Sequence, residues 1–214
     1  MEIIKIGKYD ILKFTFNFLS TNTYLLNLKN TTLIIDPANN SDKETQTLLE
    51  HIKTDNIIIF NTHGHFDHIF GNVILKTMFK KSKLIIHEFD SEKLTNPSYN
   101  GSLKWNLNIV SPKADISISK EGSLILEDET INILHTPGHT KGSICLVFDG
   151  FVFTGDTLFA GTVGIAKEYH GAFEELINTI KTKLFNLKDD YIILPGHGEN
   201  STIEEEKEYN PFLN

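Results

Sequence analysis

The stretch Asn56-Ile57-Ile58-Ile59-Phe60-Asn61-Thr62-His63-Gly64-His65-Phe66-Asp67-His68 decides the reading of this chain. Its first residues form a β-branched, apolar run of strand length, the pattern of a strand buried on both faces. Three imidazoles and a carboxylate then crowd into the turn that follows, a concentration that costs stability unless it binds something. Neutral imidazole nitrogen and carboxylate oxygen together suit a borderline divalent metal such as zinc. His63 and His65, one residue apart, cannot share a helix face, but on a loop both can grip one ion. Asp67 and His68 sit one step further on, at the start of a helix expected from about His68 to Lys80, and point to a second ion.

Working outward, three strands precede this stretch, over residues 11–18, 24–28 and 32–36, with Asn22 and Asn30 as turn residues and Pro37 ending the third. Ser41 can cap a helix running to about Lys53, with Glu44 as its capping-box partner. Lys83 to His87 reads as another strand. Residues 95–114 hold Pro97, Gly101 and Pro112 around Tyr99 and Trp105 with no sustained period, so they read as a long excursion whose aromatics are candidate pocket walls. Strands return at 123–126, 131–135, 144–148 and 151–154, with Asp149-Gly150 as a hairpin turn. A helix over 172–184 and a strand over 191–194 follow. Strand clusters followed by helix occur in both halves. That pattern predicts two sheets packed face to face with helices outside, in one domain spanning 1–214.

Three further segments each follow an expected strand and offer imidazole or carboxylate: Thr136-Pro137-Gly138-His139-Thr140, Thr154-Gly155-Asp156-Thr157 and Pro195-Gly196-His197-Gly198. Strand ends converge in sheet folds, so seven side chains could meet at one rim. Thr62, Thr136, Thr140 and Thr157 flank these ligands and are candidates to orient them, or simply to cap turns. His51, His87 and His135 lack ligand-spaced neighbours and read as structural. Cys145, the only cysteine, reads as a small buried hydrophobe and excludes an intrachain disulfide, which suits a reducing cytoplasm. The net charge of −8 over 214 residues disfavours nucleic acid and anionic membranes as partners. No secretory pattern opens the chain, and no run approaches the roughly 18 apolar residues of a membrane span.

The run THGHFDH, followed in order by TPGHT, TGDTLF and PGHG, closely resembles the metallo-β-lactamase superfamily and, within it, the type II glyoxalase-like (hydroxyacylglutathione hydrolase-like) hydrolases. The resemblance implies a four-layer αββα sandwich. It implies that His63, His65 and His139 bind one metal, that Asp67, His68 and His197 bind a second, and that Asp156 bridges them. Two divalent ions about 3.5–4 Å apart can share a water and lower its pKa towards neutrality. The implied reaction is hydrolysis of a small thioester or ester, with Asp67 orienting or deprotonating the water. Zinc is the first expectation, and iron or manganese can occupy similar ligands.

Relatives commonly carry arginine after the glycine matching Gly164, where this chain has Ile165-Ala166-Lys167. Glutathione-specific members also carry a further C-terminal helical region, whereas the acidic segment Glu204–Glu208 here reads as a solvated helix. Two other readings compete. One is a mononuclear iron oxygenase resembling persulfide dioxygenases, using His63, His139 and Asp156, against which the intact second set weighs. The other is a metal-stabilised scaffold without turnover.

Overall fold

In the computed structural model, which describes residues 1–214, the chain divides into two compact units, Met1–Ile118 and Ser119–Asn214. The first is built on seven strands: β1 (Glu2–Ile6), β2 (Tyr9–Phe16), β3 (Thr21–Asn27), β4 (Thr32–Ile35), β5 (Ile57–Phe60), β6 (Lys83–His87) and β7 (Ile116–Ile118). They lie in the sheet in chain order, antiparallel from β1 to β4 and parallel from β4 to β7. Its helices are α1 (Asp42–Leu49), α2 (Asn72–Met78) and α3 (Ser91–Thr95). One face of the sheet, with Phe14, Leu25, Ile34, Ile59 and Leu84, packs against Leu48 of α1, Leu75 of α2 and Leu94 of α3. All four residues of β4 are buried, as parallel strands covered on both faces require.

The second unit contains β8 (Gly122–Leu126), β9 (Glu129–His135), β10 (Ile144–Phe148), β11 (Phe151–Gly155), a small hairpin of β12 (Leu158–Phe159) and β13 (Thr162–Val163), β14 (Ile192–Pro195) and β15 (Ser201–Thr202). The main sheet runs β15-β14-β11-β10-β9-β8, with only the β11–β14 pair parallel. Two helices, α4 (Ala172–Thr182) and α5 (Ile203–Tyr209), pack on it. In α4 the buried residues Ala172, Leu176, Thr179 and Ile180 recur at helical spacing. Cys145 is buried on the same face, beside Val147 and Val152.

Several elements differ from the sequence reading. The helix expected over 68–80 begins only at Asn72, because Phe66–His68 form a 3-10 turn that sends successive side chains in different directions. The helix expected to Lys53 ends at Leu49, where His51 and Ile52 donate to carbonyls three residues back and the chain tightens towards β5. Ser41 does accept the Glu44 N–H, but Glu44 turns its carboxylate to the N–H groups of Asn17 and Asn40. Edge strands β1 and β7 lie outside the strands expected from sequence. The acidic helix α5 is not uniformly solvated: Ile203, Glu206 and Asn210 face inward. Buried Glu206 accepts from Gly161 N–H, Ser201 O–H and Asn210 N–H.

Asp115 ties α2 to the β6 edge. Its Oδ2 accepts from Lys76 Nζ and from Leu84 N–H, each at 2.7 Å. Burial pushes its carboxyl up, but the Lys76 hydrogen bond, the Leu84 N–H and the charges of Lys76 and Lys83 outweigh that and hold it below its ordinary 3.8. A depressed carboxylate stabilises the fold above its unfolded pKa, and that contribution is lost as pH falls through the folded value. Asp115→Asn is therefore expected to cost about 1 kcal/mol at neutral pH. The deficit should narrow below pH 3.8, as read from urea midpoints at pH 7 and pH 3. An equal deficit at both would refute the assignment.

Candidate metal centre

In the first unit the parallel strands β4, β5 and β6 deliver their carboxyl ends to one edge of the sheet, the edge where open α/β sheets place their ligands. Asp36 follows β4 with φ of 49°, an uncommon left-handed conformation that turns its carboxylate back across the end of β5. There Oδ1 accepts the Thr62 N–H at 2.7 Å, while Oδ2 accepts the Thr62 hydroxyl at 2.6 Å and lies 3.0 Å from His68 Nδ1. The Thr62 oxygen is in turn 3.1 Å from His63 Nδ1. All four of these side chains are buried.

These contacts assign the tautomers. A carboxylate only accepts, so His68 carries its proton on Nδ1. Thr62 has one hydroxyl proton, directed at Asp36, so its oxygen accepts from Nδ1–H of His63. Both rings then present an Nε2 lone pair, the usual arrangement of a metal-binding imidazole. Ligand atoms of Asp36, His63 and His68 lie within 4.8 Å of one another, but both Asp36 oxygens are already engaged by Thr62 and His68 Nδ1, so Asp36 supports these rings from behind.

Asp67 Oδ2 accepts the Thr21 hydroxyl at 2.9 Å and stands 3.4 Å from His68 Nε2. With the His68 proton on Nδ1, two electron-pair donors face each other across that gap. A tetrahedral zinc site with bonds of about 2.0–2.1 Å has ligand-to-ligand edges of about 3.3–3.4 Å. The 3.4 Å separation matches the edge that such a site would have. The His63 and His65 rings lie 4.8 Å apart, edge to face. Gly64 between them donates its N–H to Asp90 Oδ2, and a side chain there would meet Lys93.

The second unit repeats the logic. Strands β9, β11 and β14 run in one direction, so their carboxyl ends share an edge. His139, Asp156 and His197 follow them. His139 Nδ1 donates to the Ile165 carbonyl at 2.8 Å, which again fixes the proton away from Nε2. Asp156 Oδ2 stands 3.5 Å from His139 Nε2 and 3.5 Å from His197 Nε2. One carboxylate oxygen thus stands equidistant from two imidazole nitrogens.

Of the flanking threonines, Thr62 contacts a candidate ligand, His63, directly. Thr136 and Thr157 bond each other, and Thr136 also meets the Cys145 thiol, so they tie strand ends together. His51, His87 and His135 are engaged with the Thr47 carbonyl, the Phe89 N–H and the Lys141 carbonyl. Burial pushes the Cys145 thiol up to about 11. Sequence reasoning missed Asp36, Thr21 and Glu206. A carboxylate set between a buried strand and a proline was the available signal for Asp36.

No helix is long and apolar enough to cross a membrane. Among proteins of similar sequence, hydroxyacylglutathione hydrolase GloC of Haemophilus influenzae is 36% identical over 192 residues, covering 85% of this chain and 86% of that one. Among solved structures, the BLEG-1 B3 metallo-β-lactamase superposes with a TM-score of 0.88 at 29% identity, covering 95% of this chain and 99% of that one. TTHA1623, solved in a di-iron-bound form, superposes at 0.74 with 26% identity, covering 94% and 100%. The sequence profile of the metallo-β-lactamase superfamily matches residues 16–197. Strand-end imidazoles and carboxylates in both units, a matching α/β fold and that profile lead to one assignment: the chain belongs to the metallo-β-lactamase superfamily, a fold that binds divalent metal and serves mostly metal-dependent hydrolases.

Proposed function

We propose that this protein is a two-metal hydrolase of a small thioester or ester, similar in chemistry to the type II glyoxalases. The proposed ligands are His63, His65 and His139 for one ion, Asp67, His68 and His197 for the other, and Asp156 for both. The single observation that carries the reading is the pairing of a carboxylate oxygen with an imidazole Nε2 at 3.4–3.5 Å, in two places, with the ring protons of His68 and His139 held on Nδ1. The GloC relative, a hydroxyacylglutathione hydrolase by name, supports the thioester class. The di-iron form of TTHA1623 supports a pair of ions.

Divalent ions in this donor set would supply Lewis acidity and bring the pKa of water towards neutrality. The chain's own residues supply position. Asp36 and Thr62 hold His63 and His68, the Ile165 carbonyl holds His139, and Thr21 holds Asp67. In this reading Asp67 orients the attacking water or takes its proton. Water oxygen bonds to the acyl carbon, the carbon–sulfur bond breaks with its electron pair on sulfur, and the thiolate takes up a proton. Carboxylate and thiol leave with no change in oxidation state. Ile165, 72% exposed, offers no guanidinium for an anionic substrate.

The test is metal content per chain after purification without chelator or added metal, read beside hydrolysis of S-lactoylglutathione and of a simple thioester. Two ions per chain, with turnover lost in His65→Ala and Asp156→Ala, are the expected result. One iron per chain, no hydrolysis and oxygen consumption with a persulfide would overturn the reading in favour of an oxygenase.

A further inference from the structure

The turn that carries His65 and Asp67 also carries Phe66, and Phe66 is the buried base of an aromatic wall. Phe18 stacks 6.4 Å from it, Phe70 meets it edge-on at 5.6 Å, and Trp105 lies 5.5 Å from Phe18. Phe18 and Trp105 remain 54% and 52% exposed. Phe18 is not loose. Its neighbour Asn17 donates its N–H to Glu44 Oε1 and its side-chain amide to the Ala38 and Asp67 carbonyls, so the hairpin displaying Phe18 is pinned to the Asp67 turn. A fixed aromatic held out in water beside candidate metal ligands is a recognition feature, because such side chains bring large contact area at little entropic cost.

A groove of about 500 Å³ leads away from this wall, within the roughly 300–1,000 Å³ range of small-molecule sites. Its apolar side is Phe18, Phe70, Val73, Ile74, Leu107 and Ile109. Its polar side is the N-terminal turn of α1, whose only charge in the groove is the acidic Asp42. No cationic side chain lines it, so it offers no ion pair to an anionic glutathione-like or phosphorylated thiol, whereas an alkyl chain would bury carbon against the apolar side.

Resting on the hydrolase reading above, we propose that this groove is the acyl subsite and that the substrate is a thioester of a medium-length, straight-chain acyl group, its carbonyl at the His65–Asp67 turn. Each methylene buried is worth up to roughly four-fold.

The experiment uses the metal-replete protein and N-acetylcysteamine thioesters from acetyl to octanoyl, so that only the chain varies. Octanoyl kcat/KM is expected to exceed acetyl at least about ten-fold. Phe18→Ala and Val73→Asp should each remove most of that advantage, lowering octanoyl far more than acetyl. A non-hydrolysable octanoyl amide should change the emission of Trp105, the only tryptophan, saturably in the parent and not in Val73→Asp. Turnover without chain dependence overturns the acyl subsite and leaves the hydrolase standing. Saturable binding with no turnover of any thioester overturns the hydrolase and keeps an alkyl-binding groove. Neither turnover nor binding overturns both.

Discussion

Asp36→Ala is expected to destabilise the protein by roughly 3–5 kcal/mol and, in whatever folds, to weaken divalent-metal binding by about 10–100-fold. The first effect follows because one buried carboxylate accepts the Thr62 N–H, the Thr62 hydroxyl and the His68 ring proton. Without it, those donors stay buried with nothing to accept them, and each such group costs about 1–3 kcal/mol. The second follows because His68 loses the acceptor of its Nδ1 proton and the Thr62 hydroxyl, released from Asp36, no longer fixes the tautomer of His63. Asp36→Asn separates the two. The amide oxygen can still accept the Thr62 N–H, but the amide nitrogen in the Oδ2 place meets both the Thr62 hydroxyl, which must turn away, and His68 Nδ1, a donor against a donor, so that ring must move its proton to Nε2 and give up its ligand lone pair. Asn should thus recover part of the stability and little of the affinity. Urea unfolding and competition with a chromophoric chelator measure the two quantities. Metal affinity unchanged in both variants would refute the supporting role of Asp36.

The second large effect is expected at Gly164. A Cβ built there would lie 1.8 Å from the Asp156 carbonyl oxygen and 3.4 Å from His139 Cβ. No side-chain rotation relieves a clash with backbone, so Gly164→Ala must displace the Asp156 peptide or swing the Ile165 carbonyl off His139. Either movement spoils the double approach of Asp156 to His139 and His197. A misplacement of about 1 Å at a reacting centre can cost about 100-fold, and at least that loss of kcat/KM is expected, with a stability cost of about 1–3 kcal/mol from overpacking. Gly122, an exposed glycine of β8 with no left-handed φ and whose Cβ would meet nothing, is the control for a glycine-to-alanine change. Full activity in Gly164→Ala would show that the close approach is not needed.

Much of the fold was written in periodicity. Fully apolar runs such as Ile57–Phe60 and Ile144–Phe148 became buried strands at or near the expected bounds, since a run of that length has one way to hide both faces. Edge strands β1 and β7 were not legible, because an edge strand is half-exposed and its pairing is decided by what the sheet beside it offers. Candidate ligands were legible for a different reason: imidazole and carboxylate beside glycine at strand ends carry a chemical signal that no packing rule produces. Their supports were not. Asp36 lies 26 residues before Thr62 and reaches it only once β4 and β5 pair, and Glu206 lies 45 residues from Gly161. Within α5, spacing of three and four residues hinted at an inward face, but four glutamates in five residues masked it.

Cys145 lies beneath α4, its sulfur in contact with the Thr136 hydroxyl and its pKa near 11. At neutral pH almost none of it is thiolate, so alkylating and disulfide reagents meet an inert protein as long as the second sheet stays closed. Because it is the only thiol, each labelled molecule records one opening of that sheet. The labelling rate relative to the denatured chain then converts into the free energy of that opening, provided closing outpaces the reagent. Its burial makes the protein a gauge of its own breathing, readable by mass in an otherwise unmodified chain.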